Sequence, residues 1–202
     1  AAPHAGAAPA GPTAYLTPAP RLRLPAVQAG GERRVRLSGE AYFEVAREAS
    51  LPFRVECSGS VVEVLGTSFN VRAYEDEGET RATLVEGSVR FYASGRGVVL
   101  RAGEQGVVSR DGRPWKREVD VELYTGWKDG FFAFDRGRLE DVMRDIARWY
   151  KIEVVFEEPE LGDISFSGVV RRYEEFNTVV RMLEMTGDTR FSVEGNVVTI
   201  HR

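Results

Sequence analysis

A thiol, two imidazoles and four carboxylates on strand-like segments are the groups in this chain that could do covalent chemistry. Cys57 is the only cysteine, and His4 and His201 are the only histidines. A Cys–His nucleophile would have to be assembled from Cys57 and the penultimate His201, because His4 lies in an Ala- and Pro-rich segment. A lone thiol is more often a small buried hydrophobe, which is the reading adopted for Cys57. Glu40, Glu44, Glu63 and Glu86 could in principle converge as a glycosidase pair. They fall at the polar positions of alternating segments, which predicts a solvated sheet face instead. The run Glu75, Asp76, Glu77 with Glu79 lacks the spaced oxygen ligands and the glycine of a calcium loop, so it reads as a charged hairpin tip. One cysteine and two histidines leave no zinc cluster and no disulfide within the chain. Gly66-Thr67-Ser68 and Gly95-Arg96-Gly97 are not followed by helical patterns, so neither aims helix amides at a phosphate. Trp127, Phe131, Phe132, Phe134, Trp149 and Tyr150 could form a ligand platform but more often make the core where a helix meets a sheet. The expectation is no catalytic residue, no cofactor and no metal.

The composition narrows the classes further. The 202 residues carry 27 basic and 31 acidic groups, a formal net charge of −4, with 43% hydrophobic residues. That is enough apolar material for one or two cored domains. The negative balance disfavours nucleic-acid binding, which needs a clustered basic surface. No apolar run reaches the length that spans a bilayer and no signal-peptide pattern is present, so the sequence reads as soluble and without membrane contact.

Residues 1–31 hold 10 Ala, 6 Pro and 4 Gly, which predicts a linker or tail, although Leu22, Leu24 and Val27 could lie along a sheet edge. From residue 32 short alternating runs take over, among them EAYFEVA, FRVEC, SVVEVL, SFNVRAY, SVRFYA and GVVLRA. In the first, Ala41, Phe43 and Val45 predict a buried face and Glu40, Tyr42 and Glu44 a wet one. Gly39, Gly66, Gly87 and Gly103 each stand between runs and predict reversals. Their irregular spacing argues against a strict solenoid. Residues 32–121 therefore read as an antiparallel β roll or sandwich, β-helix-like, of nine or ten strands.

Beyond ELYTGWKDG the period changes. Leu139, Val142, Met143, Ile146 and Tyr150 recur at helical spacing, as do Phe176, Val179, Val180 and Leu183. Each helix sits between strand-like runs, FFAFD and IEVVFE, then ISFSGVV and RFSVE, and VVTIH comes last. Residues 122–202 thus predict a small βαβ-βαβ-β domain, giving a chain that is mainly β plus α+β. Gly187 is placed for a helix C-terminal cap, and Gly195-Asn196 for the turn of the last hairpin. With no reactive centre, a binding or signalling module is the expected class, engaged through a sheet edge such as VVTIH or ISFSG.

The ordered series GEAYFEV, LGTSFNV, LVEGSV, WKDG, RWY and FSG resembles the periplasmic part of FecR-family anti-sigma factors, over about residues 30–202. The resemblance implies a single-pass inner-membrane regulator of which this sequence holds the periplasmic β domain and a C-terminal domain similar to the short signalling domain of secretins and TonB-dependent receptors. It implies that the C-terminal domain receives a signal from the signalling domain of an outer-membrane TonB-dependent transporter. It further implies action on an extracytoplasmic-function sigma factor, through a cytoplasmic segment absent here, to control uptake of iron chelates or glycans. Residues 1–16 depart from the family pattern, which predicts either a missing first hairpin or a tail foreign to the fold, and with it an unpaired sheet edge. Gly39, Gly66 and Gly87 are carried over as turns, and Phe43, Phe69, Trp127, Phe134, Trp149 and Phe166 as core. The expected partner contacts are Arg171, Arg172 and Tyr173 beside the FSG strand, with Val197, Val198, Thr199 and Ile200 of the last strand; the alternative for the two arginines is a solvated turn. A different class, a β module that binds a glycan or siderophore directly, would need a concave sheet with exposed aromatics.

Overall fold

The computed structural model describes residues 12–17, 21–23, 33–185 and 189–202. The chain divides into two compact units, 1–121 and 122–202. The first is built from β1 (Thr13–Leu16), β2 (Arg21–Arg23), β3 (Arg33–Val45), β4 (Phe53–Cys57), β5 (Ser60–Val64), β6 (Thr67–Ala73), β7 (Glu79–Glu86), β8 (Val89–Ala93), β9 (Arg96–Leu100), β10 (Glu104–Ser109) and β11 (Pro114–Glu118).

The long strand β3 organises this unit. Its second half pairs with β1 and β6, and the sheet continues through β7 and β10 to β11. Its first half pairs with β2 and, in parallel, with β4, continuing through β5 and β8 to β9. The four hairpins β4–β5, β6–β7, β8–β9 and β10–β11 are therefore dealt alternately to the two sheets. The result is one nearly closed surface, in which Lys116 of β11 donates to the Val99 carbonyl of β9 at 3.0 Å.

Alternation fills the interior. Phe43, Phe53, Phe69, Leu84, Phe91 and Leu100 are fully buried, with Phe43 5.3 Å from Phe69 and 5.6 Å from Phe53, ring centre to ring centre. Burial of such side chains is the main force closing the two sheets on each other.

Three expectations change here. Gly39 is no reversal but an interior residue of β3, at the point where the strand leaves one sheet for the other. Its φ of 117° supplies a bend that a side chain would oppose. Gly66, Gly87 and Gly103 do lie between strands. Secondly, Glu40 and Tyr42 are buried, whereas Glu44 is exposed. Tyr15 of β1 packs edge-on against Tyr42, and Glu40 accepts from Asn70 Nδ2 at 2.9 Å with Arg72 at 3.5 Å, so the carboxylate is matched where water is excluded. Thirdly, two pieces of the segment read as tail or linker are edge strands on β3. Pro12, Pro18 and Pro20 fall just outside them, and each half of β3 gains a neighbour on the edge expected to be unpaired.

The second unit contains α1 (Glu122–Thr125), β12 (Phe131–Arg138), α2 (Leu139–Tyr150), β13 (Glu153–Phe156), β14 (Ser165–Arg171), α3 (Phe176–Glu184), β15 (Arg190–Glu194) and β16 (Val197–His201). β12 and β14 form an antiparallel pair, while β16 lies between β13, in parallel, and antiparallel β15. Each β-α-β repeat thus gives its first strand to the small sheet and its second to the larger. Leu139, Val142, Met143 and Ile146 of α2 and Val179 and Leu183 of α3 pack with Phe166, Val170, Val198 and Ile200. Glu140 and Asp141 in the first turn of α2 and Arg148 in its last complement the helix dipole. Gly195, with φ 63°, and Asn196 close the β15–β16 hairpin; the cap expected of Gly187 lies outside the described residues. Among the described residues no helix is long and apolar enough to cross a membrane.

Candidate partner-binding surface of the C-terminal unit

Side chains along β14 alternate between interior and solvent, and the period continues past its end. Phe166 and Val170 point in, so Arg172 points in as well and is 5% exposed. Its guanidinium lies 3.6 Å from the ring centre of Trp149, 4.8 Å from Phe132 and 5.6 Å from Trp127. Nη1 donates to the Trp127 carbonyl at 2.6 Å. The Arg172 carbonyl accepts from Trp149 Nε1 at 2.6 Å, and its amide donates to the Gly130 carbonyl at 2.9 Å. Tyr150 donates its hydroxyl to the Glu174 carbonyl at 2.8 Å; burial first, then the Glu174 carboxylate, holds that phenol above its ordinary pKa. Arg172 is accordingly neither a partner contact nor part of a solvated turn. It is the pin of an aromatic cage joining the WKDGFF and RWY segments.

Its two neighbours face outward. Arg171 is exposed and Tyr173 is 81% exposed, with its ring 5.9 Å from Trp149 in an edge-on contact. Gly130 lies beneath it at φ 90°, a backbone that favours glycine, and a β-carbon there would come within 2.8 Å of Tyr173 Cε2 and push the ring aside. Across the small sheet Phe131 pairs with Arg171 and Ala133 with Val169, which is 66% exposed. This outer face, Phe131, Val169, Arg171 and Tyr173, is half visible in the sequence: Arg171 and Tyr173 are among the expected contacts, whereas Phe131 is expected in the core and is 38% exposed.

The other predicted contact does not survive as an edge. β16 is the central strand of its sheet, with both sides hydrogen-bonded, and Val198 and Ile200 are fully buried. Only Val197 and Thr199 keep partial exposure. The edges in this unit belong to β13 and β15 in the larger sheet and to β12 and β14, the two strands of the smaller one. Beside β13 runs an open groove of about 730 Å³, with Met143, Ala147, Val154 and Phe156 along it and Arg138, Glu140, Arg144, Glu160 and Asp163 around it.

Several of the groups with covalent potential, and carboxylates beside them, are held in ion pairs or hydrogen bonds, whereas Glu44 and Glu86 are exposed. Glu56 sits between Arg34 and Arg36, at 2.7 and 2.9 Å, and Glu63 between Arg54 and Arg90, at 2.7 and 3.6 Å. Arg72 grips Glu77 at 2.6 and 2.8 Å on the hairpin tip. His201 contacts Ser192 Oγ and the Arg202 carbonyl, both at 3.0 Å. Among the described residues no three His, Cys, Asp or Glu side chains are placed to hold a metal. Burial, with a smaller contribution from the Glu56 carboxylate, pushes the Cys57 thiol up to about 12. Almost no thiolate exists at neutral pH, so iodoacetamide at pH 8 is expected to modify folded Cys57 at least about a hundredfold more slowly than the urea-unfolded chain. Equal rates, read by mass spectrometry, would contradict the burial.

Two family profiles match the chain, one described as FecR protein over residues 10–90 and one as FecR, C-terminal, over residues 131–200. Two crystal structures of a candidate anti-sigma factor from Parabacteroides distasonis share the fold and 26% identity. Each gives a TM-score of 0.86 with 96% of this chain covered, and 92% and 91% of the respective matched chains. No curated protein matches. The chain belongs to the FecR family of anti-sigma factors, a regulatory rather than a catalytic family. The first profile begins at residue 10, so the segment holding β1 and β2 lies within the family pattern.

Proposed function

We propose that this chain is the periplasmic sensor part of an anti-sigma factor. Its C-terminal unit takes up a signal from the signalling domain of an outer-membrane TonB-dependent transporter. The signal passes through a cytoplasmic segment to an extracytoplasmic-function sigma factor that controls uptake of an iron chelate or a glycan. In this reading the chain does no chemistry of its own. The observation that carries the proposal is that family membership spans both units while the C-terminal one presents apolar side chains, Val169, Tyr173 and Phe131, to solvent.

Isothermal titration of the chain against the signalling domain of a transporter encoded beside it tests this. Binding at micromolar Kd or tighter is expected, corresponding to about 8 kcal/mol. It should vanish for a chain ending at Val121, which retains the aromatic core of the first unit. Equal binding by the shortened chain would move the receiving surface to the β unit, and no binding by the full chain would remove the relay.

A further inference from the structure

We propose that the edge of β13 and the groove beside it receive an extended, basic segment of a partner protein, added as a fourth strand to the β13–β16–β15 sheet. The inference rests on the reading of the C-terminal unit as a receiver of a protein partner, and adds where that partner lies and what its chemistry is.

Backbone geometry comes first. The amides of Glu153 and Glu157 donate to the carbonyls of Asn196 and Ile200, at 2.8 and 3.0 Å. In a parallel ladder alternate residues face the neighbouring strand, so the N–H and C=O groups of Val154 and Phe156 face the opposite way, outward. They make no hydrogen bond with another described residue. An unpaired row of this kind is the template that strand addition completes.

The other edges are less suited. β15 has its outward Phe191 amide capped by Glu184 Oε1 at 3.1 Å. β12 and β14 pair with each other across a bulge between Phe134 and Gly137, which breaks the regular ladder that an added strand would extend. At β13 a groove runs beside the edge, with Ala147 and Met143 of α2 and the side chains of Val154 and Phe156 as its apolar part. A side chain from every second residue of an added strand can enter it.

Charge then selects the occupant. Residues 153–163 carry five carboxylates and no basic residue; Asp163 is paired with Arg138 and Glu158 with Arg202, and Glu153, Glu157 and Glu160 supply the remaining negative charge along the edge. The two arginines of the groove are already engaged, Arg138 with Asp163 at 2.6 Å and Glu140 at 3.1 Å, and Arg144 with Glu140 at 2.8 Å and Asp141 at 2.7 Å. A second copy of the same edge would set glutamate against glutamate, which disfavours self-pairing. A strand alternating Lys or Arg with Val or Ile has the complementary pattern.

The probe is a capped heptapeptide alternating Lys and Val, titrated into the full chain and followed by amide NMR and hydrogen exchange. Shifts and slowed exchange are expected at Val154 and Phe156, weakening at high salt. The same peptide with Glu for Lys should not bind. Val154→Pro removes one outward donor while leaving the bonds to β16, a position where an edge strand tolerates proline, and should weaken binding about tenfold. Ala147→Lys, on the helix wall, places length and positive charge in the groove and should weaken it similarly without touching the sheet. Peptide shifts centred elsewhere, no peptide binding, or unchanged affinity in both variants overturns the proposal. The transporter domain separates the two ideas: binding to it that neither variant alters and the peptide does not compete with removes the β13 site but keeps the relay. Peptide capture at β13 without transporter binding does the reverse.

Discussion

Arg172→Ala is expected to destabilise the C-terminal unit by about 3–5 kcal/mol, from a desolvated cation–π contact and an unpaired carbonyl together. Three losses combine. The guanidinium stacks on Trp149 with Phe132 and Trp127 at the sides, and a desolvated cation–π contact contributes about 2 kcal/mol. The Trp127 carbonyl loses its charged donor, at a cost of about 1–3 kcal/mol. The truncated stem leaves a void between rings that cannot collapse without moving α2. Arg172→Lys keeps the charge but not the planar stack or the rigid reach to Trp127, so it should recover only part of the loss, and Arg172→Met should recover packing but not the carbonyl. Urea titration followed by near-ultraviolet circular dichroism reads the effect, since two of the three tryptophans, Trp127 and Trp149, belong to the cage. A change under about 1 kcal/mol for Arg172→Ala would show that the cage is decorative.

Phe43→Ala should cost the β unit a similar amount, about 3–5 kcal/mol. The side chain is fully buried at the centre of the rings of Phe53 and Phe69, and it sits on the strand common to both sheets. Phe43→Leu, which keeps most of the volume, should cost about 1.5 kcal/mol or less. Phe131→Ala, on the open face of the small sheet, should stay below about 1 kcal/mol. The ordering of these three in thermal melts is the test; a Phe131 variant as damaging as Phe43→Ala would mean that the exposed face is structural.

Much of this was legible in the residues. Alternation in EAYFEVA and SVRFYA and the helical spacing of Leu139, Val142, Met143 and Ile146 follow from side-chain geometry alone, and so did the class, mainly β plus α+β. What failed was the reading of position within a sheet. Gly39 stands between two alternating runs, and a glycine there can either reverse a strand or bend it; nothing local tells the two apart. β16 looked like an edge because it is last in the chain, but strand order is set by long-range pairing. Adjacent Arg171 and Arg172 read as one charged shoulder, although a period of two sends them to opposite faces. Continuing the period from Phe166 and Val170 would have put Arg172 inside. Leu22 marks the edge placement that β2 takes, whereas β1 is masked by the Ala, Pro and Gly content around it, because an edge strand needs only a few residues and a long neighbour to lean on.

The alternate dealing of hairpins to the two sheets has a consequence for synthesis. As the chain leaves the ribosome, β3 emerges with partners for neither of its halves beyond β1 and β2. Each later hairpin then extends one sheet while the other waits, and β10 and β11 finish one sheet only after β8 and β9 have finished the other. A nascent chain released between about residues 100 and 118 would therefore carry one sheet with all its strands and the other still short of β10 and β11. Such a product would still leave the second half of β3 on a sheet that ends at β7, with the edge of β7 open where β10 belongs.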